Sequence, residues 1–308
     1  MIVTVTLNPA VDKVMVIENF KAGSVNRASQ VLMEAGGKGI NVSKTIHRLG
    51  GQSKAMGILA GQSGGFIEKS LQRLGISSDF VYIEGETRTN VKISDPIGEV
   101  ITDINEPGPA VEEVVLELLQ EKLFEGLGMG DMVVLTGSAP QGVPTDIYSR
   151  WIMEAQKRGI RCVLDADGEL LRQGVEAGPY LVKPNIHELE RLYGTETHSI
   201  EDIVELAKKL LQKGTEFVAV SCGEEGAVFV TKEGAVKAEG IKITVKSTVG
   251  AGDAMVAALS HGLHQQLKLE DIIKLAVASG TATVMSYGNQ PAVEDVEKLL
   301  QLVKVSSI

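Results

Sequence analysis

Met132-Val133-Val134-Leu135 is an unbroken apolar run, and Cys162-Val163-Leu164-Asp165 is a second one ending on a carboxylate. Between them, residues 145–158 carry Ile147, Tyr148, Trp151, Ile152 and Ala155 at helical spacing. A short apolar run without polar alternation suits a strand covered on both faces, and the wider spacing suits an amphipathic helix. Strand, helix and strand in that order make a right-handed βαβ unit with parallel strands. Working outward, similar apolar runs occupy residues 2–7, 54–59, 180–182 and 217–221. Helical patterns occupy 41–49, 66–74, 111–124, 186–193, 200–213 and 251–265. The expected fold is α/β: a doubly wound, mostly parallel central sheet flanked by helices.

Two segments break this rhythm. Residues 11–34 and 80–105 alternate apolar and polar positions without a helix signal, and Asp95-Pro96-Ile97-Gly98 marks a turn between two half-buried strand patterns. Together they are expected to form a small β-sheet lid beside the large sheet. The expected partition is a main domain of residues 1–10, 36–79 and 106–308 and a lid of residues 11–35 and 80–105. A lid of this kind exposes strand edges, and pairing two lids in a homodimer would cover them.

Bulk properties narrow the function. The 308 residues carry 30 Lys and Arg against 40 Asp and Glu, a net charge of −10. An acidic chain is a poor partner for nucleic acid or membranes, so small molecules are the expected partners. Cys162 and Cys222 form no paired motif, so neither zinc nor a disulfide framework is expected. No apolar run reaches the ~20 residues of a membrane helix, and no signal peptide is read at the start. A soluble, cytoplasmic protein is expected.

Four sites carry chemistry. In Ala35-Gly36-Gly37-Lys38-Gly39-Ile40-Asn41-Val42-Ser43, three glycines let the backbone approach a ligand, and a helix begins whose free N–H groups attract anions and hydroxyl oxygens. Lys38 adds a positive charge and Asn41 a donor and an acceptor. A plain strand-to-helix turn is the other reading. In Ser247-Thr248-Val249-Gly250-Ala251-Gly252-Asp253, small residues again lead into an apolar helix. Gly250, Ala251 and Gly252 would offer amides to a phosphate. Asp253 reads as a base for a hydroxyl proton, or as an ordinary acidic helix cap. No Gly-Lys-Ser/Thr follows, so this is not a Walker loop, and the third glycine of a dinucleotide fingerprint is missing.

The third site is Lys183-Pro184-Asn185-Ile186-His187-Glu188. Asn185 and Glu188 share a helical face, which suits either Mg²⁺ carried by a nucleotide or a capping box. The fourth, Ser221-Cys222-Gly223-Glu224-Glu225-Gly226-Ala227, could border a nucleotide, but by itself it reads as only a hairpin turn. His261 and His264 lack a third ligand for zinc, and Met255 and Met285 read as core.

These four sites in this order resemble the ribokinase (PfkB) family of carbohydrate kinases over essentially the whole chain. Residues 35–43 resemble its first signature and residues 247–259 its second. The resemblance implies ATP, Mg²⁺ and phosphoryl transfer to a sugar hydroxyl, with Asp253 as catalytic base and Gly250, Ala251 and Gly252 as the anion hole. It implies a nucleotide bordered by Lys183, Asn185, Ser221, Gly223, Gly226, Thr248, Gly250 and Gly252, and metal held through Asn185 and Glu188. The opening Thr4-Val5-Thr6-Leu7-Asn8-Pro9-Ala10-Val11-Asp12 and Thr87-Arg88-Thr89-Asn90-Val91-Lys92 resemble the sugar-phosphate branch of the family. That branch implies a phosphorylated ketohexose, foremost fructose 1-phosphate, with tagatose 6-phosphate and fructose 6-phosphate as alternatives. Asp12, Asn90, Gly36, Gly37, Asn41 and Ser138 are then expected at the sugar. Lys38, Arg88 and Arg27, the last from the lid across a dimer, are expected at its phosphate. A sensor that binds without catalysis would need neither Asp253 nor the Asn185/Glu188 pair. Ser286-Tyr287-Gly288-Asn289-Gln290 receives no assignment.

Overall fold

The computed structural model describes residues 1–286 and 288–308. The first third of the chain runs through strands Ile2–Thr6 (β1), Ala10–Val16 (β2) and Gln30–Gly36 (β3), helix Lys38–Arg48 (α1), strand Lys54–Ala60 (β4), helix Gly61–Arg73 (α2) and strands Ser77–Ile83 (β5), Thr89–Asp95 (β6) and Val100–Ile104 (β7). The middle continues with Glu113–Phe124 (α3), Met132–Thr136 (β8), Ile147–Lys157 (α4), Arg161–Asp165 (β9), Gly168–Glu176 (α5), Leu181–Val182 (β10), Ile186–Tyr193 (α6) and Ile200–Gln212 (α7). The last part adds Phe217–Ser221 (β11), Gly226–Thr231 (β12), Gly234–Glu239 (β13), Ala251–His264 (α8), Leu269–Val284 (α9), Val293–Leu300 (α10) and Val305–Ser307 (β14).

One ten-stranded sheet has the order β14-β13-β12-β11-β10-β9-β8-β1-β4-β5. From β11 to β5 every neighbouring pair is parallel, and β12, β13 and β14 extend the edge antiparallel. The continuous apolar strands are explained by the two faces. Val133, Leu135, Cys162, Leu164, Val218 and Val220 join Trp151, Tyr148, Leu119 and Leu206 in one core. Their alternate neighbours Met132, Val134, Val163, Phe217 and Ala219 join Val42, Ile46, Val256, Leu259 and Ile273 in the other. Each strand thus buries both of its faces, and a polar residue at any interior position would be left without water.

The strand order reverses around β1, with β4 and β5 on one side and β8, β9 and β10 on the other. In an open α/β sheet, ligands bind beyond the carboxyl ends of strands at such a switch point. Helix α8 packs there against α1 and against β1 and β8. No described helix is long and apolar enough to cross a membrane.

The second sheet has the order β3-β2-β6-β7, with β2 parallel to β6 and antiparallel to β3. This is the expected lid, with one correction to its boundary. Residues 80–83 belong to β5, which pairs in parallel with β4 at the edge of the large sheet. Phe80 and Val81 are buried there, so the strand's apolar run is claimed by the main core before the chain turns into the lid at Thr89. The outer strands of the lid leave Val31, Leu32, Met33, Val100, Ile101 and Ile104 exposed.

Candidate active site

Two helix starts meet at the switch point. Helix α1 has Gly37 as its N-cap, with φ 107° and no side-chain cap. Helix α8 has Gly37's counterpart in role, Gly250, in the left-handed region and likewise no side-chain cap. The first amides of both helices therefore lack intrahelical and capping partners, the arrangement that attracts anions. Asp253 is the third residue of α8 rather than its cap. Its Oδ2 accepts a 2.8 Å hydrogen bond from Asn41 Nδ2, which joins the two helices across 212 positions of sequence. The cap reading of Asp253 is thereby replaced: the carboxylate points at α1, not at its own helix amides.

Asp253 is 6% exposed. Burial raises its pKa to about 6, opposed by Lys38 and reinforced by the negative charge of Asp165. A carboxyl group tuned this way is ionised at neutral pH and still able to take a proton, as a general base requires.

The glycines of the first site have separate physical reasons. A Cβ on Gly36 would lie 2.0 Å from Asp12 Oδ2, so the absent side chain is what lets Asp12 of β2 stand beside the turn. A Cβ on Gly39 would lie 2.8 Å from the carbonyl oxygen of Val5, so α1 can press onto β1 only with glycine there. Asp12 accepts a 3.1 Å hydrogen bond from Asn90 Nδ2, and burial raises its pKa. Asn41 Oδ1 and Asn90 Oδ1 are both buried acceptors with no protein partner, a fit for hydroxyl donors. At Asn90 a cleft of about 300 Å³ opens between Asp12, Asn90, Lys92 and Asp103 of the lid and Ser247, Val249 and Asn289 of the main domain.

Asp165, at the end of β9, was not among the expected residues, and it organises the centre of the site. It is 1% exposed, lies 3.2 Å from Lys38 Nζ and 3.0 Å from Lys183 Nζ, and accepts a 3.0 Å hydrogen bond from Thr136 Oγ1. Burial alone would raise its pKa, but Lys183 and Lys38 hold the carboxyl well below the usual carboxylate range. Asp165 in turn holds Lys38 in its charged form, above the usual lysine range. Lys183 also reaches the start of α8: a Cβ on Gly252 would be 3.4 Å from its Nζ. One carboxylate thus joins Lys38, the first residue of α1, to Lys183, just past β10, the next strand in the sheet. The only sequence signal for Asp165 was a carboxylate closing an apolar strand run.

Other expected residues take different places. Arg88 donates to the carbonyl oxygens of Asn8 at 3.0 Å, Glu106 at 3.2 Å and Pro9 at 3.4 Å, so its fork pins the two crossings between main domain and lid. Asn185 and Glu188 form the capping box: Asn185 Oδ1 accepts from the Glu188 amide and Glu188 Oε2 from the Asn185 amide, both at 2.8 Å. Glu188 is buried, and burial raises its pKa. Ser221 bridges to Asn185, so the third and fourth sites adjoin. Gly223 and Gly226 are required by the hairpin between β11 and β12, both with positive φ, and a Cβ on Gly226 would meet the Ala238 carbonyl at 2.1 Å. Ser138 and Thr248 are exposed at the rim. Arg27 is exposed beyond the Val16–Gln30 end of the β2–β3 ladder. The ladder's other end, Ala10–Gly36, faces the site, and six residues of strand span about 20 Å. Arg27 of the same chain is therefore not brought to Asp253.

Among the described residues no group of three or more His, Cys, Asp or Glu is arranged to hold a metal ion. A Mg²⁺ that keeps its waters and arrives on nucleotide phosphates needs only one or two protein carboxylates. Glu188 fits that lesser demand.

The family profile described as pfkB family carbohydrate kinase matches residues 5–296. The chain belongs to this family. The kinase is 39% identical to the 1-phosphofructokinase of Bacillus subtilis (strain 168) over 310 residues, covering 100% of both chains. It is 37% identical to the 1-phosphofructokinase of Borreliella burgdorferi over 309 residues, covering 100% of this chain and 99% of the other. Its fold superposes on the crystal structure of phosphofructokinase-2 from Escherichia coli in complex with fructose-6-phosphate, with a TM-score of 0.92, 30% identity and 98% of each chain covered. The resemblance read from the four sites, the doubly wound fold and the assignment as a carbohydrate kinase all hold, and membership of the family implies that the kinase uses ATP.

Proposed function

We propose that the kinase transfers the γ-phosphoryl group of ATP to the free primary hydroxyl of fructose 1-phosphate, giving fructose 1,6-bisphosphate and ADP. The observation that carries the reading is Asp253, buried and charge-tuned between two uncapped helix starts, with Lys38 and Lys183 aligned beside it by Asp165. The full-length likeness to 1-phosphofructokinases supports the sugar.

The sugar lies in the cleft under the lid, its hydroxyls donating to Asn41 Oδ1, Asn90 Oδ1 and Asp12. The Asp253 carboxylate accepts the hydroxyl proton as the sugar oxygen bonds to the γ-phosphorus and the bond to the β,γ-bridging oxygen breaks. The amides of Ala251, Gly252 and Asp253 and the ammonium groups of Lys38 and Lys183 face the charge spread over the transferred group. Positioning and charge stabilisation supply most of the rate in such transfers. Glu188, held by its capping box with Asn185, would hold Mg²⁺, which would supply charge neutralisation to the phosphates. The nucleotide borders Ser221, Gly223, Gly226 and Thr248. The sugar's existing phosphate meets Lys38 and the remaining donors of Arg88.

The exposed apolar strands of the lid support a homodimer formed lid to lid, from which the partner subunit's Arg27 enters the phosphate end of the cleft. A cytoplasmic location accords with an ATP-using enzyme whose two cysteines are both free. The test is ATP consumption over fructose 1-phosphate, fructose 6-phosphate and tagatose 6-phosphate. The highest kcat/KM is expected on fructose 1-phosphate. A preference for fructose 6-phosphate, the sugar named in the Escherichia coli structure, would replace that choice while keeping the reaction.

A further inference from the structure

Among the described residues, the reaction as derived leaves one buried cation unused. Lys44, in the second turn of α1, is 9% exposed, and burial pulls its ammonium below the usual lysine range. A buried ammonium is costly unless its donors are met. Lys44 Nζ donates to the Ala35 carbonyl at 3.0 Å and to Asn289 Oδ1 at 3.3 Å, with Glu34 Oε2 at 3.9 Å.

Both partners lead to the site. Ala35 lies in β3 beside Glu34, which pairs in register with Asp12 on β2, and the next residue is Gly36, on which Asp12 packs. Asn289 lies under the other helix start: a Cβ on Gly250 would meet the Asn289 carbonyl oxygen at 2.6 Å. The segment carrying Asn289 is held along one face of α1. Gln290 Nε2 donates to the Asn41 carbonyl at 3.4 Å, Thr45 Oγ1 to Gln290 Oε1 at 3.3 Å, and Arg48 Nη1 to the Pro291 carbonyl at 3.1 Å. Positions 41, 44, 45 and 48 recur at the spacing of a single helical stripe. Residues 289–291 thus brace the start of α8 at Gly250, and Lys44 is their link to the lid.

We propose that Lys44 is a positioning residue, resting on the phosphoryl transfer assigned above, that ties the sugar-side strand β3 to the phosphate-side turn at Gly250 and so holds the hydroxyl and the transferred group in register. The test uses the full chain with ATP and fructose 1-phosphate, alongside amide hydrogen exchange on the ligand-free protein. In Lys44→Met, kcat falls about 10- to 100-fold while both KM values stay within about threefold, as expected when alignment rather than binding is lost. Lys44→Arg, which keeps the donors, restores most of kcat. Exchange over residues 34–36 and 248–253 quickens in Lys44→Met and slows again in Lys44→Arg. Should Lys44→Met fold poorly, Asn289→Ala removes the acceptor and carries the same expectation, and the double variant is no slower than the slower single one. Wild-type kcat in Lys44→Met, or unchanged exchange over 248–253, overturns the proposal. If the wild-type protein turns over none of the sugar phosphates, the functional reading fails instead, and the exchange measurement still decides the tie.

Discussion

Replacing Asp253 with asparagine is expected to remove catalysis and to stabilise the fold at the same time. Burial lifts the carboxyl from 3.8 to about 6. At about 1.4 kcal/mol for each tenfold change in proton affinity, keeping Asp253 ionised in the folded state costs about 3 kcal/mol. The folded pKa lies above the unfolded one. The stability due to the bound proton is therefore fully present below about pH 4 and is lost as the pH rises through about 6. Asparagine has the same shape, can still accept from Asn41 Nδ2, and carries no charge to desolvate. At pH 7.5, Asp253→Asn should be more stable than the wild type by up to about 3 kcal/mol, or roughly 5 °C in Tm for a chain of this size. At pH 4 the two should melt together. In parallel, kcat should fall by about 10² to 10⁴, the usual worth of a positioned base. The wild-type kcat/KM should decline tenfold per pH unit below about 6. Thermal melts from pH 4 to 8 with matched initial rates make the assay. A variant less stable than wild type at pH 7.5, or a difference that does not change with pH, would refute the account of Asp253 as a strained, desolvated base.

Further expectations concern the surroundings of that base. Gly36→Ala forces Asp12 away from its place and from Asn90, and losing one charge-assisted hydrogen bond of about 1.5–3 kcal/mol should raise KM for the sugar phosphate at least tenfold while leaving KM for ATP nearly unchanged; steady-state kinetics with each substrate varied will show it. Asp165→Asn leaves Lys38 and Lys183 without their common anchor and should lower kcat about 100-fold, and since Asp165 helps raise the Asp253 pKa, the acid limb of the rate profile should move to lower pH. Ile101→Asp together with Met33→Asp on the outer lid strands should leave a monomer in sedimentation if the lid faces pair.

The fold was legible because both faces of the large sheet are covered. That burial leaves apolar runs such as 132–135 and 217–221 unbroken, and they coincide with β8 and β11 to within a residue. The same property hid β5, whose Ser77-Ser78-Asp79 opening looks polar because an edge strand has one less neighbour to bury it. Helix α9 escaped too: Gly280 and Thr283 interrupt its pattern, yet both are buried where α8 and α9 pack closely. In the site, glycine-led helix starts were readable because a turn with positive φ has few alternatives to glycine. Asp165 and Lys44 were not readable. Each is a single charged residue in an apolar pattern, and what makes it matter is a partner more than 100 positions away: Lys38 for Asp165, Asn289 for Lys44. The Asn185/Glu188 spacing was ambiguous in sequence because a capping box and an oxygen pair for a metal use the same residues.

The hydrogen bond between Asn41 and Asp253 spans most of the chain. The two residues are 212 positions apart, so closing this contact is among the most non-local events of folding. Chains dominated by such contacts fold slowly. A partly folded molecule can own a complete lid, or a nearly complete large sheet, and still lack the base and the amide that orients it. Turnover therefore serves as a built-in report on whether the first and last quarters of the polypeptide have found one another.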